Sequence, residues 1–378
     1  MPDLKVVSIF GTRPEAVKMA PVIQRLAMTP GIETRVIVTA QHRQMLDQVL
    51  NLFNIHPDYD LDLMSPNQSL ADLTAAILTL LDPVLTQLDP DWILIQGDTT
   101  TVMTAAILGY YHHIRIGHIE AGLRTGDKWQ PFPEEINRRI ASVVTDLHFA
   151  PTQHSRQNLL NEGIADRMIL VTGNPAIDAL QAITRRPVPD AISQLLRDKS
   201  IHPGGKRLVV ITAHRRENFG QPLEQICSAI CQLANLYPHT LEFIYPVHLN
   251  PNVQQVVYPR LSGISNITLM DPLDYLSMIH LMQHATLVLT DSGGIQEEAT
   301  GLGIPTLVLR AKTERPEGVE AGTLKLVGTD IERIITETRR LLDDAQAHQS
   351  MAHAANPFGD GHAAERIVNA LHQYSMQD

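Results

Sequence analysis

The chain has 378 residues, of which 44% are apolar, and a formal net charge of −11. That length suits about two to three domains of ordinary size. The acidic balance excludes a nucleic-acid binder, which needs a basic footprint, but leaves room for a phosphorylated small ligand held by a few local arginines. No run approaches the ~18 apolar residues of a membrane span, so no membrane partner is expected. The opening Met1-Pro2-Asp3-Leu4-Lys5 lacks the charged-then-apolar layout of a signal peptide, so a cytoplasmic location is expected. Cys227 and Cys231 are the two cysteines, one helical turn apart. They read as a buried helix face in a reducing compartment.

In chain order, Lys5–Phe10 reads as an apolar strand that runs into Gly11-Thr12-Arg13-Pro14-Glu15 and a helix carrying Lys18. Arg13 sits at the C-terminal end of a strand, where α/β sheets bind ligands. Arg35–Thr39 reads as a second strand, followed by Gln41-His42-Arg43-Gln44, and a helix is expected over about 70–87. Asp91–Gln96 and Ile114–Ile119 read as strands whose ends place Asp98 and Glu120 side by side. Pro133, then Glu134 and Glu135, make a helix start. Asp98, Glu120 and Glu134 thus collect at one sheet edge. Carboxylates clustered in this way perturb one another's ionisation, which is how acid/base pairs arise.

Leu147–Ala150 and Met168–Val171 read as further strands, and Pro- and Gly-rich punctuation over 175–206 marks a candidate boundary. The pattern then restarts. Leu208–Thr212 ends in a loop with His214, Leu241–Val247 ends in His248, and Ile267–Met270 is followed by a loop with Leu273 and Met278. Leu287–Leu289 forms a buried strand ending in Asp291-Ser292-Gly293-Gly294, with a helix expected from about Ile295 that carries Glu297 and Glu298. Amide groups at such a Gly-rich helix start favour a phosphate, and a glutamate there can accept ribose hydroxyls. Thr306–Leu309, a loop with Arg315, and Leu324–Val327 precede the last helices.

Strands alternating with helices in two sets predict an α/β chain of two Rossmann-like domains facing a central cleft. The first row of strand ends offers Arg13, Lys18, Asp98 and Glu120, and the second offers His214, Ser292, Gly293, Gly294, Glu298 and Arg315. This is a nucleotide-sugar arrangement. No Gly-x-Gly-x-x-Gly follows a strand, so NAD is not expected. No Gly-x-Ser-x-Gly elbow is present, and the histidines have no recognisable metal frame, so no metal is expected.

Several motifs carry a family resemblance: Gly11-Thr12-Arg13-Pro14-Glu15, Gln96-Gly97-Asp98-Thr99-Thr100, His118-Ile119-Glu120-Ala121-Gly122-Leu123-Arg124, His214-Arg215-Arg216-Glu217-Asn218 and Thr290-Asp291-Ser292-Gly293-Gly294. With Pro133-Glu134-Glu135 and Thr313-Glu314-Arg315-Pro316-Glu317 they span nearly the whole chain in order. The chain closely resembles the non-hydrolysing bacterial UDP-N-acetylglucosamine 2-epimerases. The resemblance implies a GT-B-type fold, with residues 1–172 plus about 360–378 forming the sugar and acid/base domain and 173–359 the UDP domain. It implies reversible interconversion of UDP-GlcNAc and UDP-ManNAc, without NAD or metal, to supply cell-surface polysaccharide.

The C2 proton of the sugar is not acidic, so inversion there implies elimination of UDP to a 2-acetamidoglucal and re-addition. By the same resemblance Asp98, Glu120 and Glu134 share the acid/base work. His214 belongs to the catalytic set and, with Arg13, the Ser292–Gly294 turn and Arg315, holds the diphosphate. Glu298 takes the ribose, Lys18 lies near sugar or phosphate, and the loop with Leu273 and Met278 holds uracil through backbone groups. A second UDP-GlcNAc as allosteric activator would meet Gln41, His42, Gln44 and His248, with Asn67 standing where many relatives place an arginine. A homodimer is the expected assembly. A hydrolysing epimerase, a retaining glycosyltransferase and a nucleotide-sugar sensor are the rival readings.

Overall fold

The computed structural model describes residues 4–39, 43–63 and 68–375. It forms two compact units: residues 1–181 with 358–378, and residues 182–357.

The first unit contains strands β1 (Leu4–Phe10), β2 (Ile32–Val38), β3 (Tyr59–Asp60), β4 (Trp92–Gln96), β5 (Arg115–Ile119), β6 (Leu147–Ala150) and β7 (Ile169–Val171). Its helices are α1 (Arg13–Met28), α2 (Arg43–Phe53), α3 (Leu70–Leu88), α4 (Thr100–Tyr111), α5 (Glu134–Val144) and α6 (Gln153–Asn161), with most of α7 (Pro175–Thr184). The strands are parallel in the order β3-β2-β1-β4-β5-β6-β7. β1, β4 and β5 are mostly apolar and almost wholly buried, as strands covered by helices on both faces must be. Residues 173–181 pack with this unit because Asn174 donates to Glu120 and Asp178 accepts from the backbone of Ala363 and Ala364.

The second unit follows α8 (Asp190–Asp198) with β8 (Arg207–Thr212), α9 (Gln221–Leu236), β9 (Leu241–Pro246), α10 (Pro251–Leu261), β10 (Ile267–Met270), α11 (Tyr275–Gln283), β11 (Ala285–Thr290) and α12 (Gly293–Gly301). Then come β12 (Thr306–Val308), α13 (Pro316–Glu320), β13 (Leu324–Leu326), α14 (Ile331–Asp343) and α15 (Ala345–Ala352). Its parallel sheet runs β10-β9-β8-β11-β12-β13. Cys227 lies buried on α9 within this core, and burial pushes its thiol up to about 12. Cys231 is partly buried beside it.

The last helix, α16 (Ala363–Ser375), packs on α1 of the first unit. Tyr374 meets Trp92 of β4 edge-on, with ring centroids 5.6 Å apart. α3 is long and apolar enough by length and composition to cross a membrane. Its apolar residues are interrupted by Thr and Asp, so no unbroken run is visible in the sequence. Leu73, Ile77, Leu81 and Leu85 recur at helical spacing and are buried in the core against β4 and α4, as in an amphipathic core helix.

Each sheet reverses its strand order once, between β1 and β4 in the first and between β8 and β11 in the second. Open α/β sheets bind ligands outside the strand C-termini at such points. Arg13 and Asp98 lie at the first of these places and His214 and Ser292–Gly294 at the second, with Glu120, His248, Leu273 and Arg315 at the ends of other strands.

Candidate functional site

In the first unit, β1 leads into Gly11. A Cβ there would lie 2.1 Å from Thr39 Oγ1, so only glycine fits. Arg13 is the first residue of α1, one step beyond the turn in which the sequence reading put it. It makes no hydrogen bond or ion pair among the described residues. Glu15 is fully enclosed and accepts from the backbone N–H of Gly11 (2.8 Å) and Thr12 (2.7 Å), and from the hydroxyls of Thr12 (2.9 Å) and Thr99 (2.5 Å). It therefore joins the turn after β1 to the turn after β4. Burial raises its carboxyl above the ordinary value, opposed first by the Thr99 bond.

Asp98 follows Gly97, whose φ is +83°. Arg138 on α5 donates to Asp98 Oδ2 from Nε (2.9 Å) and Nη2 (2.6 Å), and Asn137 donates to the Asp98 carbonyl (2.9 Å). Below the turn, the buried His118 has Nε2 2.7 Å from the Gly97 carbonyl oxygen. Burial holds this imidazole down at about 4, so it is neutral at pH 7 and its Nε2–H donates to that carbonyl.

Glu120 comes straight after β5 with φ +63°, a left-handed conformation that costs a non-glycine residue energy. Its side chain is gripped by Lys18 on one oxygen, by the Asn174 amide on the same oxygen (2.9 Å), and by the Gln96 amide on the other (2.5 Å). A carboxylate with three such donors is pinned. Glu134 is the first residue of α5, with Pro133 at the cap. Its neighbour Glu135 is buried and accepts from the backbone of Thr125 and Gly126, so it braces the preceding loop. Hydrogen bonds thus tie Asp98 to the helix that Glu134 begins, and a separate set holds Glu120.

In the second unit, Ser292 caps α12, and both Gly293 and Gly294 are already helical. The sequence expectation of a sharp glycine turn before a helix at Ile295 is corrected here. Neither glycine has positive φ. Gly293 is needed for another reason: a Cβ would lie 2.5 Å from Nη1 of Arg315. Arg315 is buried, and its Nε donates to Glu297 Oε1 at 2.6 Å. Glu314 is drawn down to about 2, because bonds and charge from Arg310 and Arg315 outweigh its burial. Glu298 lies buried on α12.

His214 follows β8, half-exposed, and stacks on His248 with ring centroids 5.2 Å apart and planes 16° apart. Burial lowers its pKa; Asp291 opposes this, and His248 and Arg215 add to it. Met278 is in α11 and buried, so it is not in the loop where the sequence reading placed it. Leu273 is in the loop before that helix, partly buried. Gln41, His42 and Asn67 lie outside the described residues, and Gln44 falls in the first turn of α2.

The family model for UDP-N-acetylglucosamine 2-epimerase matches residues 24–372. A UDP-N-acetylglucosamine 2-epimerase of Yersinia pestis is 52% identical over 99% of this chain and 100% of its own. One from Escherichia coli K12 is 50% identical over 97% and 98%. The crystal structure of the UDP-GlcNAc 2-epimerase of Neisseria meningitidis bound to UDP-GlcNAc superposes with a TM-score of 0.93, at 46% identity, covering 98% of this chain and 100% of that one.

The chain belongs to the UDP-N-acetylglucosamine 2-epimerase family.

Its two-domain α/β architecture is the GT-B-like one of these neighbours. Sequence reasoning passed over several residues that hold the family's motif positions in place. Gln96 and Asp291 were visible only as members of motifs, and Arg138 and Asn174 carried no signal of their own. Their partners lie 24 to 77 residues away in sequence. Glu15 did carry a local signal, since Thr12 and Glu15 form a capping box at the start of α1.

Proposed function

We propose that this chain interconverts UDP-GlcNAc and UDP-ManNAc without hydrolysing either. The observation that carries the reading is the full-length likeness to an epimerase structure that holds UDP-GlcNAc, at 46% identity. The residues support a mechanism of elimination and re-addition. A base takes the C2 proton while the C1–O bond breaks, and UDP leaves with the bonding electron pair. The resulting 2-acetamidoglucal accepts a proton on the opposite face of C2 as UDP adds back to C1. Groups on both faces of the ring and cations for the departing diphosphate are required.

We assign the C2 proton to Asp98, because both Arg138 bonds land on its Oδ2 and leave Oδ1 to the substrate. Glu120, pinned by Lys18, Gln96 and Asn174, suits a fixed negative charge beside the oxocarbenium-like sugar. Glu134 serves as the second acid/base group. Arg13, His214, Arg315, the Ser292 side chain and the amides of Gly293 and Gly294 take the diphosphate, Glu298 the ribose, and the Leu273 loop with Met278 the uracil. Neither NAD nor a metal has a part in these steps, and surface-polysaccharide synthesis would use the product.

The activator reading keeps Gln41, His42, Gln44 and His248. His248 stacked on His214 would couple a second UDP-GlcNAc to the substrate site. A sigmoidal rate curve tests it. We place the homodimer contact on the outer face of α3 and α4. Leu80, Tyr110 and Tyr111 are exposed there, and His112 Nε2 lies 2.7 Å from Asp82. Sedimentation of a Tyr110→Glu variant tests that contact.

The decisive experiment is proton NMR of UDP-GlcNAc with the pure protein in D2O. Formation of UDP-ManNAc with deuterium at C2 of both sugars is expected. Free ManNAc and UDP would assign a hydrolysing epimerase, and an unchanged spectrum would point to glycosyl transfer or sensing.

A further inference from the structure

Asp291 ends β11 with no exposed surface at all. Its Oδ2 accepts from the backbone N–H of His214 (2.8 Å) and Arg215 (2.8 Å) and from the Asn218 amide (2.9 Å). Those three bonds fix the loop after β8 to the end of β11. Its Oδ1 has no hydrogen-bond partner among the described residues, although it is buried. That oxygen lies 3.7 Å from Nδ1 of His214. A buried carboxylate oxygen left unpaired is costly. The nearby group able to satisfy it is the imidazole that the rest of the carboxylate already positions.

We infer that Asp291 is a positioning residue for His214, holding the ring proton on Nδ1 and steadying the imidazolium that forms when a diphosphate meets Nε2. The separation is longer than a hydrogen bond, and contacts of this kind shorten when ligand binds. The arrangement follows a general rule: the group bonded to one ring nitrogen decides what the other can do. The groups acting on the ring are Asp291 from β11, His248 from the loop after β9 and Arg215 from its own loop. Only Asp291 favours positive charge. His248 closes one face of the ring by stacking, which leaves Asp291 to fix its edge. The diphosphate half of the inference rests on the proposed function, whereas the Nδ1–H assignment does not.

The test is 15N NMR of the full-length protein labelled at histidine, with His214→Gln identifying the His214 signals. In the free wild-type protein above the His214 midpoint, the Nδ1–H tautomer is expected. Addition of UDP should raise the His214 midpoint by about one pH unit. Asp291→Asn should abolish the Nδ1–H preference and lower the midpoint by about one pH unit. Its kcat for the epimerase reaction should fall about 10- to 100-fold, with KM changed less. An Nε2–H tautomer in the wild type would overturn the inference, as would an Asp291→Asn protein with unchanged tautomer and midpoint. Should Asp291→Asn fail to fold, the wild-type tautomer decides alone. A His214 signal that UDP leaves unmoved would overturn the diphosphate reading, and the tautomer would still decide the part played by Asp291.

Discussion

The two units solve the same problem with opposite charges. In the first, apart from Arg13, the residues offered at the strand ends are carboxylates, and cations and amides hold them: Arg138 for Asp98, and Lys18, Gln96 and Asn174 for Glu120. In the second, the residues offered are cationic or neutral bases, and carboxylates hold them: Glu297 for Arg315 and Asp291 for the His214 loop. Both arrangements begin where a parallel sheet reverses its strand order and extend to the next strand end, Glu120 after β5 and Arg315 after β12. Under the proposed function, one topology would yield an acid/base edge or an anion-binding edge, depending on which member of each ion pair stands outward. Proton transfer and phosphate binding need opposite fields under that function, and two copies of one fold would supply them.

The largest effect expected is on the acid side. Asp98→Asn keeps the shape and the Arg138 contact but removes the proposed base. We expect kcat to fall by about 10²–10⁴-fold, with unchanged circular dichroism and with UDP affinity within about threefold of wild type, as expected for loss of transition-state binding alone. Near-normal turnover would dissolve the contrast between the two units. Lys18→Met comes next. It leaves Glu120 buried without its cation, and breaking such a pair costs about 3–5 kcal/mol. Lys18→Met with Glu120→Gln should be more stable than Lys18→Met alone in urea titration. If the double variant is no more stable, Lys18 holds the fold by packing and not by pairing with Glu120.

These features differ in how far the sequence revealed them. The alternation of buried strands and helices made both sheets readable, because a parallel strand covered on both faces is nearly all apolar. The acids Asp98, Glu120 and Glu134 were visible because each follows a strand or opens a helix. The side chains that hold them were not, since Arg138 reaches back 40 residues and Asn174 reaches back 54. Spacing along the chain carries no signal for such pairs. The glycines show the opposite failure. Gly293 and Gly294 suggested a turn by their type alone, and the reason for the first is a guanidinium 22 residues further along the sequence.

Acid should also separate the two units. His118 and His148 are buried side by side on β5 and β6, and burial holds them at about 4 and about 3. In the unfolded chain both titrate near 6.5. Between those values the unfolded state binds more protons than the native one, so stability falls as pH drops from about 6.5 towards 4. A shift of that size is worth roughly 3 kcal/mol for His118. In the second unit Glu314 is depressed to about 2. Its contribution is complete above about 4.5 and is lost only as pH falls from there towards 2. His214 and His284 of the second unit are also lowered by burial, but only the first unit has two imidazoles held as far down as about 4 and about 3, so it should lose the more stability between about pH 6.5 and 4. Hydrogen exchange resolved by unit, between pH 7 and pH 4, checks this. His118→Gln should flatten the loss in the first unit only.

The smallest effect sharpens the anion-binding side, and it turns on two adjacent glycines. An alanine at 293 would put its Cβ 2.5 Å from Nη1 and 2.9 Å from Cζ of Arg315. The guanidinium cannot swing away freely, because Glu297 holds its Nε at 2.6 Å. Gly293→Ala should therefore displace Arg315 and raise KM for UDP-GlcNAc about tenfold, a loss of about 1.4 kcal/mol. An alanine at 294 meets no protein atom within 4 Å among the described residues. It should leave Arg315 and the melting temperature alone. If a diphosphate lies against the start of α12, however, that methyl group occupies its space, and KM rises as well. An inert Gly294→Ala beside an impaired Gly293→Ala would mean that the site depends on Arg315 and not on the helix amides. Impairment in both would place the phosphate on the helix start itself.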